Sequence, residues 1–176
     1  MGDSFSFYLH RLELIAFFSG YPLMYTTVLL IGGKRGSRTE LQKKLVALLP
    51  VSYALVGTLY FGFELIDLQP NSTNNFREFA EHPFLTVWGK LAMLFWIPAL
   101  AKRPILSLLH SLVFFFFLVS DIFLQISASS VDKNIVRNDM KIYSGSILLN
   151  LIALILVILI SFLITRIKKQ KRSTYF

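Results

Sequence analysis

Five long runs of apolar residues fill most of this chain, and short polar segments separate them. Because the hydrocarbon core of a bilayer is about 30 Å thick, a helix needs about 20 apolar residues to cross it. Four of the runs reach that length, whereas the third is the shortest and contains Lys90. The pattern predicts five membrane-spanning helices, over residues 12–31, 45–66, 84–100, 105–126 and 142–165.

The runs do not show the alternation of apolar and polar residues that the strands of a membrane barrel show over about ten positions. Residues 148–163 are almost uniformly aliphatic, and residues 114–117 are four consecutive phenylalanines. Unpaired backbone groups in lipid cost several kcal/mol each, so only helices or a closed barrel can span a membrane. Because the pattern does not fit a barrel, it indicates helices. The sequence predicts an all-α, polytopic membrane bundle that forms one domain over residues 1–176. A hairpin that dips part-way into the membrane over residues 84–126 is the alternative for the third and fourth runs.

Basic residues in the polar segments fall on alternate sides of the predicted spans. The segments after the first, third and fifth runs have a net charge of +11 and the rest of the chain −3, which together give the total of +8. Lys and Arg near the ends of membrane spans accumulate on the cytoplasmic side. We therefore expect the N-terminus outside and the C-terminus inside. Asp3 stands where a signal peptide would have basic residues, so we expect the first run to be a retained span.

The basic segments are also the expected contact surface for anionic lipid headgroups or for a protein partner. Each cluster adjoins an apolar run, where membrane topology requires it, so the positive charge does not indicate specific nucleic-acid binding. The candidate contact residues are Lys34, Arg35, Arg38, Lys43, Lys44, Arg166, Lys168, Lys169, Lys171 and Arg172. Lys102 and Arg103 form a third, smaller cluster between the third and fourth runs.

Ionisable residues inside apolar runs are costly and usually face a protein interior or water. A rise of about 1.5 Å per helical residue places Lys90 and Asp121 at similar depths below the outer boundary. We expect an ion pair between them, which Glu64 and Asp67 could join from the outer end of the second helix. The alternatives are a site or pathway for an ion, a proton or a ligand past these residues, and a misplaced span boundary.

His110 lies inside the fourth run, about one and a half turns from its cytoplasmic end. It could relay protons or bind haem, but His10 and His82 are expected on the other side of the membrane. The favoured interpretation is a hydrogen bond from His110 to a neighbouring helix. Ser107 and Ser111 flank it without an evident acid, which argues against a hydrolase. The chain has no cysteine, which excludes thiolate chemistry, and we expect no metal and no cofactor.

Three classes of function remain. The favoured one is a non-catalytic integral membrane protein, not an enzyme, that acts as a subunit, anchor or accessory factor of a larger membrane-associated system. The second is an oligomeric channel, pore or transporter with a polar pathway past Glu64, Lys90 and Asp121. The third is a membrane-embedded enzyme or redox protein that uses His110. We expect the inner membrane of a bacterium, where the glycosylation sequon at Asn71 would not be used.

Overall fold

The computed structural model describes residues 12–30, 40–67, 83–127 and 133–173, and these residues are almost entirely helical, with no strand among them. Helix α1 covers residues 12–18 and passes through a turn at Ser19 and Gly20 into helix α2, Tyr21–Leu30. Helix α3 is Glu40–Asp67. The all-helical prediction is confirmed for the described part of the chain.

Two further long helices complete the bundle: α6, Pro104–Ser127, and α7, Lys133–Ser173. Four helical stretches are long and apolar enough to cross a membrane, and they coincide with the first, second, fourth and fifth predicted runs. These stretches are Leu12–Leu30, Glu40–Ile66, Pro104–Leu124 and Met140–Lys168. The hydropathy pattern therefore located, to within a few residues, the four helices that are long and apolar enough to cross a membrane.

The third predicted run does not form one continuous helix, which corrects the expectation for residues 84–100. Helix α4, Pro83–Leu91, tightens into a 3-10 helix, Ala92–Trp96. Ile97 then takes an extended conformation, with φ −69° and ψ 123°, and Pro98 begins the one-turn helix α5, Pro98–Ala101. Proline disfavours helical geometry at the residue before it, so the break at Ile97 follows from the sequence.

Contacts along α3 show that it packs antiparallel to the first helical stretch. Phe17 meets Tyr60, with ring centroids 5.4 Å apart, and Gln42 Nε2 donates a 2.7 Å hydrogen bond to the carbonyl of Leu29. Residue numbers at the contacts thus rise along one helix as they fall along the other, which is the antiparallel arrangement. The same carbonyl lies in the last turn of α2, where a helix lacks backbone donors, so Gln42 also satisfies the end of that helix.

Helix α6 packs antiparallel to the first stretch as well. Phe18 stacks on Phe114 with centroids 4.7 Å apart, and Tyr21 hydrogen-bonds Ser107 at 2.7 Å. Because α3 and α6 both run opposite to α1 and α2, they run parallel to each other. Helix α7 follows α6 after residues 128–132 and turns back along it.

The segment from α4 to α5 runs antiparallel to α3. Gly89 lies against the ring of Tyr60, and Gly57 lies against Ala92 of the 3-10 helix. A Cβ atom on Gly57 would come within 2.8 Å of the Ala92 side chain, so the two backbones approach closely. Within the 3-10 helix, Ala92 and Phe95 are buried, whereas the break at Ile97 and the residues on either side of it are exposed.

The centre of the bundle is an aromatic core built from three helices. Phe18 and Tyr21 from the first stretch, Tyr53 and Tyr60 from α3 and Phe114 from α6 are fully buried. The ring of Phe18 meets those of Tyr53 and Tyr60 edge to face, an arrangement that the charge distribution of aromatic rings favours. This core fixes the positions of the polar side chains described next.

Candidate functional site

His110 of α6 lies at the centre of the aromatic core and uses both ring nitrogens. Its Nδ1 lies 2.7 Å from the hydroxyl of Tyr53, and its Nε2 lies 2.8 Å from the backbone carbonyl of Trp88. The indole N–H of Trp88 donates in return to the carbonyl of His110 at 3.3 Å, and the two rings stack 4.8 Å apart. The predicted hydrogen bond from His110 to a neighbouring helix is confirmed.

The partners fix the tautomer of His110. A carbonyl oxygen only accepts, so Nε2 holds the proton and donates it to Trp88. Nδ1 is then the acceptor, and Tyr53 donates to it. Because Tyr53 comes from α3 and Trp88 from α4, the imidazole joins three helices. The ring nitrogens that a haem or a metal would need are both engaged by groups of this chain.

A second buried hydrogen bond lies beside this one. Ser107 Oγ donates to the carbonyl of Pro104 at 2.8 Å, so it accepts the hydroxyl proton of Tyr21 across 2.7 Å. The ring of Tyr21 lies 4.4 Å from that of Tyr53. The two tyrosines thus direct their hydroxyl groups to two residues on one face of α6, Ser107 and His110.

An ion pair lies one layer further along the bundle. Lys90 Nζ is 2.7 Å from Glu64 Oε2, and both side chains are mostly buried. Tyr60 donates its hydroxyl proton to the other carboxylate oxygen of Glu64. Both oxygens of the carboxylate are therefore engaged, and the lysine neutralises its charge. Such pairing is how charged groups are accommodated at membrane depth.

The predicted polar group forms in part. Lys90 and Glu64 meet, although the sequence placed Asp121 as the first partner of Lys90. Asp121 is partly buried on α6, and its pairing with Lys90 stays a prediction. Asp67 is the last residue of α3, at the end of the helix that contains Glu64.

The candidate contact residues gather at the opposite end of the bundle. Since α3 and α6 run parallel, their first turns lie at one end, and α7, which runs back along α6, ends there too. The basic residues there that the structure describes are exposed: Lys43, Lys44, Lys102, Arg103, Arg166 and Lys168. Glu40 forms an exposed 2.8 Å ion pair with Lys43. Helices α3 and α7 and the turn between α5 and α6 thus bring their positive charge to one end.

The remaining candidates are placed less fully. Lys169, Lys171 and Arg172 lie on the last turns of α7. Residues Lys34, Arg35 and Arg38 fall outside the described residues, as do His10, His82 and Asn71. Within the described ranges, no three His, Asp or Glu side chains lie close enough together to hold a metal ion.

Sequence reasoning missed the tyrosines of the site. Tyr53 and Tyr60 are seven residues apart, about two helical turns, so they share one face of α3. Polar-tipped rings in an apolar run usually need a partner when buried, and that spacing was the available signal. Trp88 gave no such signal, because its contact with His110 depends on where α4 packs. Comparison with protein-family models, with curated proteins and with solved structures finds no match to this chain.

Proposed function

We propose that this protein is a non-catalytic integral membrane component that docks a larger system through the basic end of its bundle. The observation that supports this most is the convergence of exposed cations from α3, from the turn before α6 and from α7, represented by Lys44, Lys102 and Lys168. A surface whose charges have one sign attracts and orients a partner surface whose charges have the opposite sign. The expected partner is a protein with an acidic surface next to the membrane.

Five membrane crossings are part of this proposal. Helices α3 and α6 run parallel, so the chain must return across the bundle between Asp67 and Pro104. The discontinuous segment Pro83–Ala101 has a path of roughly 30 Å, from about 1.5 Å per α-helical and about 2 Å per 3-10 residue. That path matches the thickness of a bilayer core, about 30 Å. The basic end is then cytoplasmic, with the N-terminus outside, in a bacterial inner membrane.

The polar groups inside the bundle favour a structural role over catalysis. His110, Glu64 and Lys90 are each bound by other groups of this chain, as satisfied buried pairs usually are. A general base or a metal ligand would need a free position directed at a substrate. The proposal therefore assigns these residues to the packing of the helices and the function to the basic end.

The test is purification from native membranes in mild detergent, followed by mass determination of the intact particle. The account predicts a complex of defined stoichiometry with another protein. Lys44→Glu and Lys102→Glu should each release that protein. Lys141→Glu is the matched control, because Lys141 is exposed near the start of α7, at the other end of the bundle. Retention of the protein in all three variants, or a particle made of this chain alone, would contradict the proposal.

One observation keeps an oligomeric channel or transporter as a second candidate. The Glu64–Lys90 pair lies inside the apolar span and is not fully buried, so it could lie along a polar pathway in an oligomer. Reconstitution into vesicles distinguishes this function from the first. A pathway predicts ion flux that changes in Glu64→Gln, whereas a docking component predicts no flux from either form.

A further inference from the structure

Helix α7 has two different sides, and its contacts define them. Residues that recur at helical spacing are buried against the bundle: Ser146, Asn150, Ala153 and Val157. The opposite side is exposed and apolar, through Leu148, Ile152, Ile155, Leu159 and Phe162. In a membrane this second side faces lipid, because exposing a continuous apolar stripe to water is unfavourable.

The two sides end in different cations. Eleven residues are close to three full turns of a helix, so a residue returns to nearly the same side after that interval. Arg166 follows exposed Ile155 at that spacing, and Lys168 follows buried Val157. Arg166 therefore ends the lipid-facing side of α7. Lys168 lies in line with the bundle-facing side, on a stretch of α7, residues 162–168, that is exposed on all sides.

Arg166 also contacts an aromatic ring on the same side of the helix. Its guanidinium carbon lies 5.3 Å from the centre of the Phe162 ring, one turn back along the same side. A guanidinium group stacked on a ring keeps its outer N–H groups free, and these match the oxygens of a phosphate in pairs. The lipid-facing side of α7 thus consists of apolar side chains that end in a guanidinium group lying over an aromatic ring.

We propose that this side of α7 binds an anionic phospholipid, with the acyl chain along Ile155, Leu159 and Phe162 and the phosphate on Arg166. Two observations favour a lipid as the occupant. The cation lies among exposed apolar side chains, as a headgroup lies above its acyl chains. Among the residues that the structure describes at this end of the bundle, six cations and one carboxylate, Glu40, are exposed, so a second parallel copy of this chain would bring like charges together. A lipid with net negative charge complements this end better than a zwitterionic one.

The test uses the purified protein in phosphatidylcholine vesicles. The chain has no cysteine, so Thr165→Cys gives a single labelling site for a donor fluorophore beside Arg166. Energy transfer is measured to trace lipid labelled on its acyl chain, either phosphatidylglycerol or phosphatidylcholine. We expect phosphatidylglycerol to be enriched about fivefold at the helix, the scale of one cation near an anionic headgroup.

Variants separate a site on Arg166 from the net charge of this end. Arg166→Gln should abolish the enrichment, whereas Lys168→Gln, which removes the same charge from the other side, should retain it. Phe162→Leu keeps the charge and should lower the enrichment, because the guanidinium group loses the ring that positions it. Equal loss in Arg166→Gln and Lys168→Gln, or no enrichment in the unaltered protein, would overturn the lipid site. No partner protein is present, so the result is independent of the docking function.

Discussion

The backbone N–H of Gly20 donates a 2.9 Å hydrogen bond to Ser146 Oγ of α7, at the point where the first membrane helix is interrupted. Beside it, the amide of Asn150 donates to the carbonyl of Phe17 at 2.9 Å. Pro22 has no N–H to continue the helical ladder, so an interruption is expected here. Side chains of a neighbouring helix re-satisfy the freed backbone groups, as a bilayer requires. Two side chains of α7 thereby complete the backbone hydrogen bonding of the first helical stretch.

This contact predicts that Gly20→Ala destabilises the bundle. A Cβ atom on Gly20 would lie 2.4 Å from the backbone nitrogen of Ile147, and backbone cannot move aside as a flexible side chain can. Overpacking of this kind costs about 2 kcal/mol. The midpoint of thermal unfolding in mild detergent measures the effect.

Gly62→Ala is the matched control for that variant. Nothing lies within 4 Å of a Cβ at Gly62, and alanine is the better helix former, so its unfolding midpoint should stay level or rise. If both variants shifted the midpoint alike, the close crossing of Gly20 on Ile147 would be refuted.

The second prediction concerns the hydroxyl of Tyr53. Tyr53→Phe leaves Nδ1 of His110 without its donor while the ring remains, and an unmet buried acceptor costs about 1–3 kcal/mol. Tyr143→Phe removes a hydroxyl from a partly buried tyrosine outside the site and serves as control. We expect a lower unfolding midpoint for Tyr53→Phe alone. Equal midpoints for the two variants would contradict the role of His110 as a link between helices.

The third prediction concerns the ion pair at membrane depth. Removing one partner leaves a charge without its counter-ion in a low dielectric, which costs about 3 kcal/mol, whereas removing both avoids that penalty. Lys90→Met and Glu64→Gln should therefore each destabilise the protein, and the double variant should be more stable than the sum of the two effects predicts. Denaturant unfolding of all four forms gives the coupling energy. Strict additivity would show that the two side chains do not depend on each other.

Hydropathy located four candidate spans because a helix that crosses lipid needs a long apolar stretch, and such stretches can be recognised directly in the sequence. It did not predict the break inside the third run, because an average over about 20 residues does not register a single proline. Pro98 was visible, yet Ile97 and its neighbours kept the stretch apolar. The geometry of one X-Pro step decided the local structure there.

The sequence gives an estimate of depth along each run, but it does not identify which side chains touch. Counting from the run ends placed Lys90 and Asp121 at similar depth, with Glu64 as a further member. The structure pairs Lys90 with Glu64, and the pairing of Lys90 with Asp121 stays a prediction. Hydropathy does not determine which helices touch or how they tilt. The tyrosines were missed for the same reason, because the partner of a tyrosine on α3 can be identified only when the packing of α3 against its neighbours is known.

The measurement that tests the central claim most directly is the sidedness of single cysteines in sealed vesicles of known orientation. Glu40→Cys, Lys102→Cys and Lys168→Cys report the basic end of the bundle, and exposed Ser127→Cys reports the other end. The account predicts that a membrane-impermeant thiol reagent labels the first three from the cytoplasmic side alone and Ser127→Cys from the outside. Labelling of Glu40→Cys and Lys102→Cys from opposite sides would contradict it, because the three basic clusters would then not share one surface.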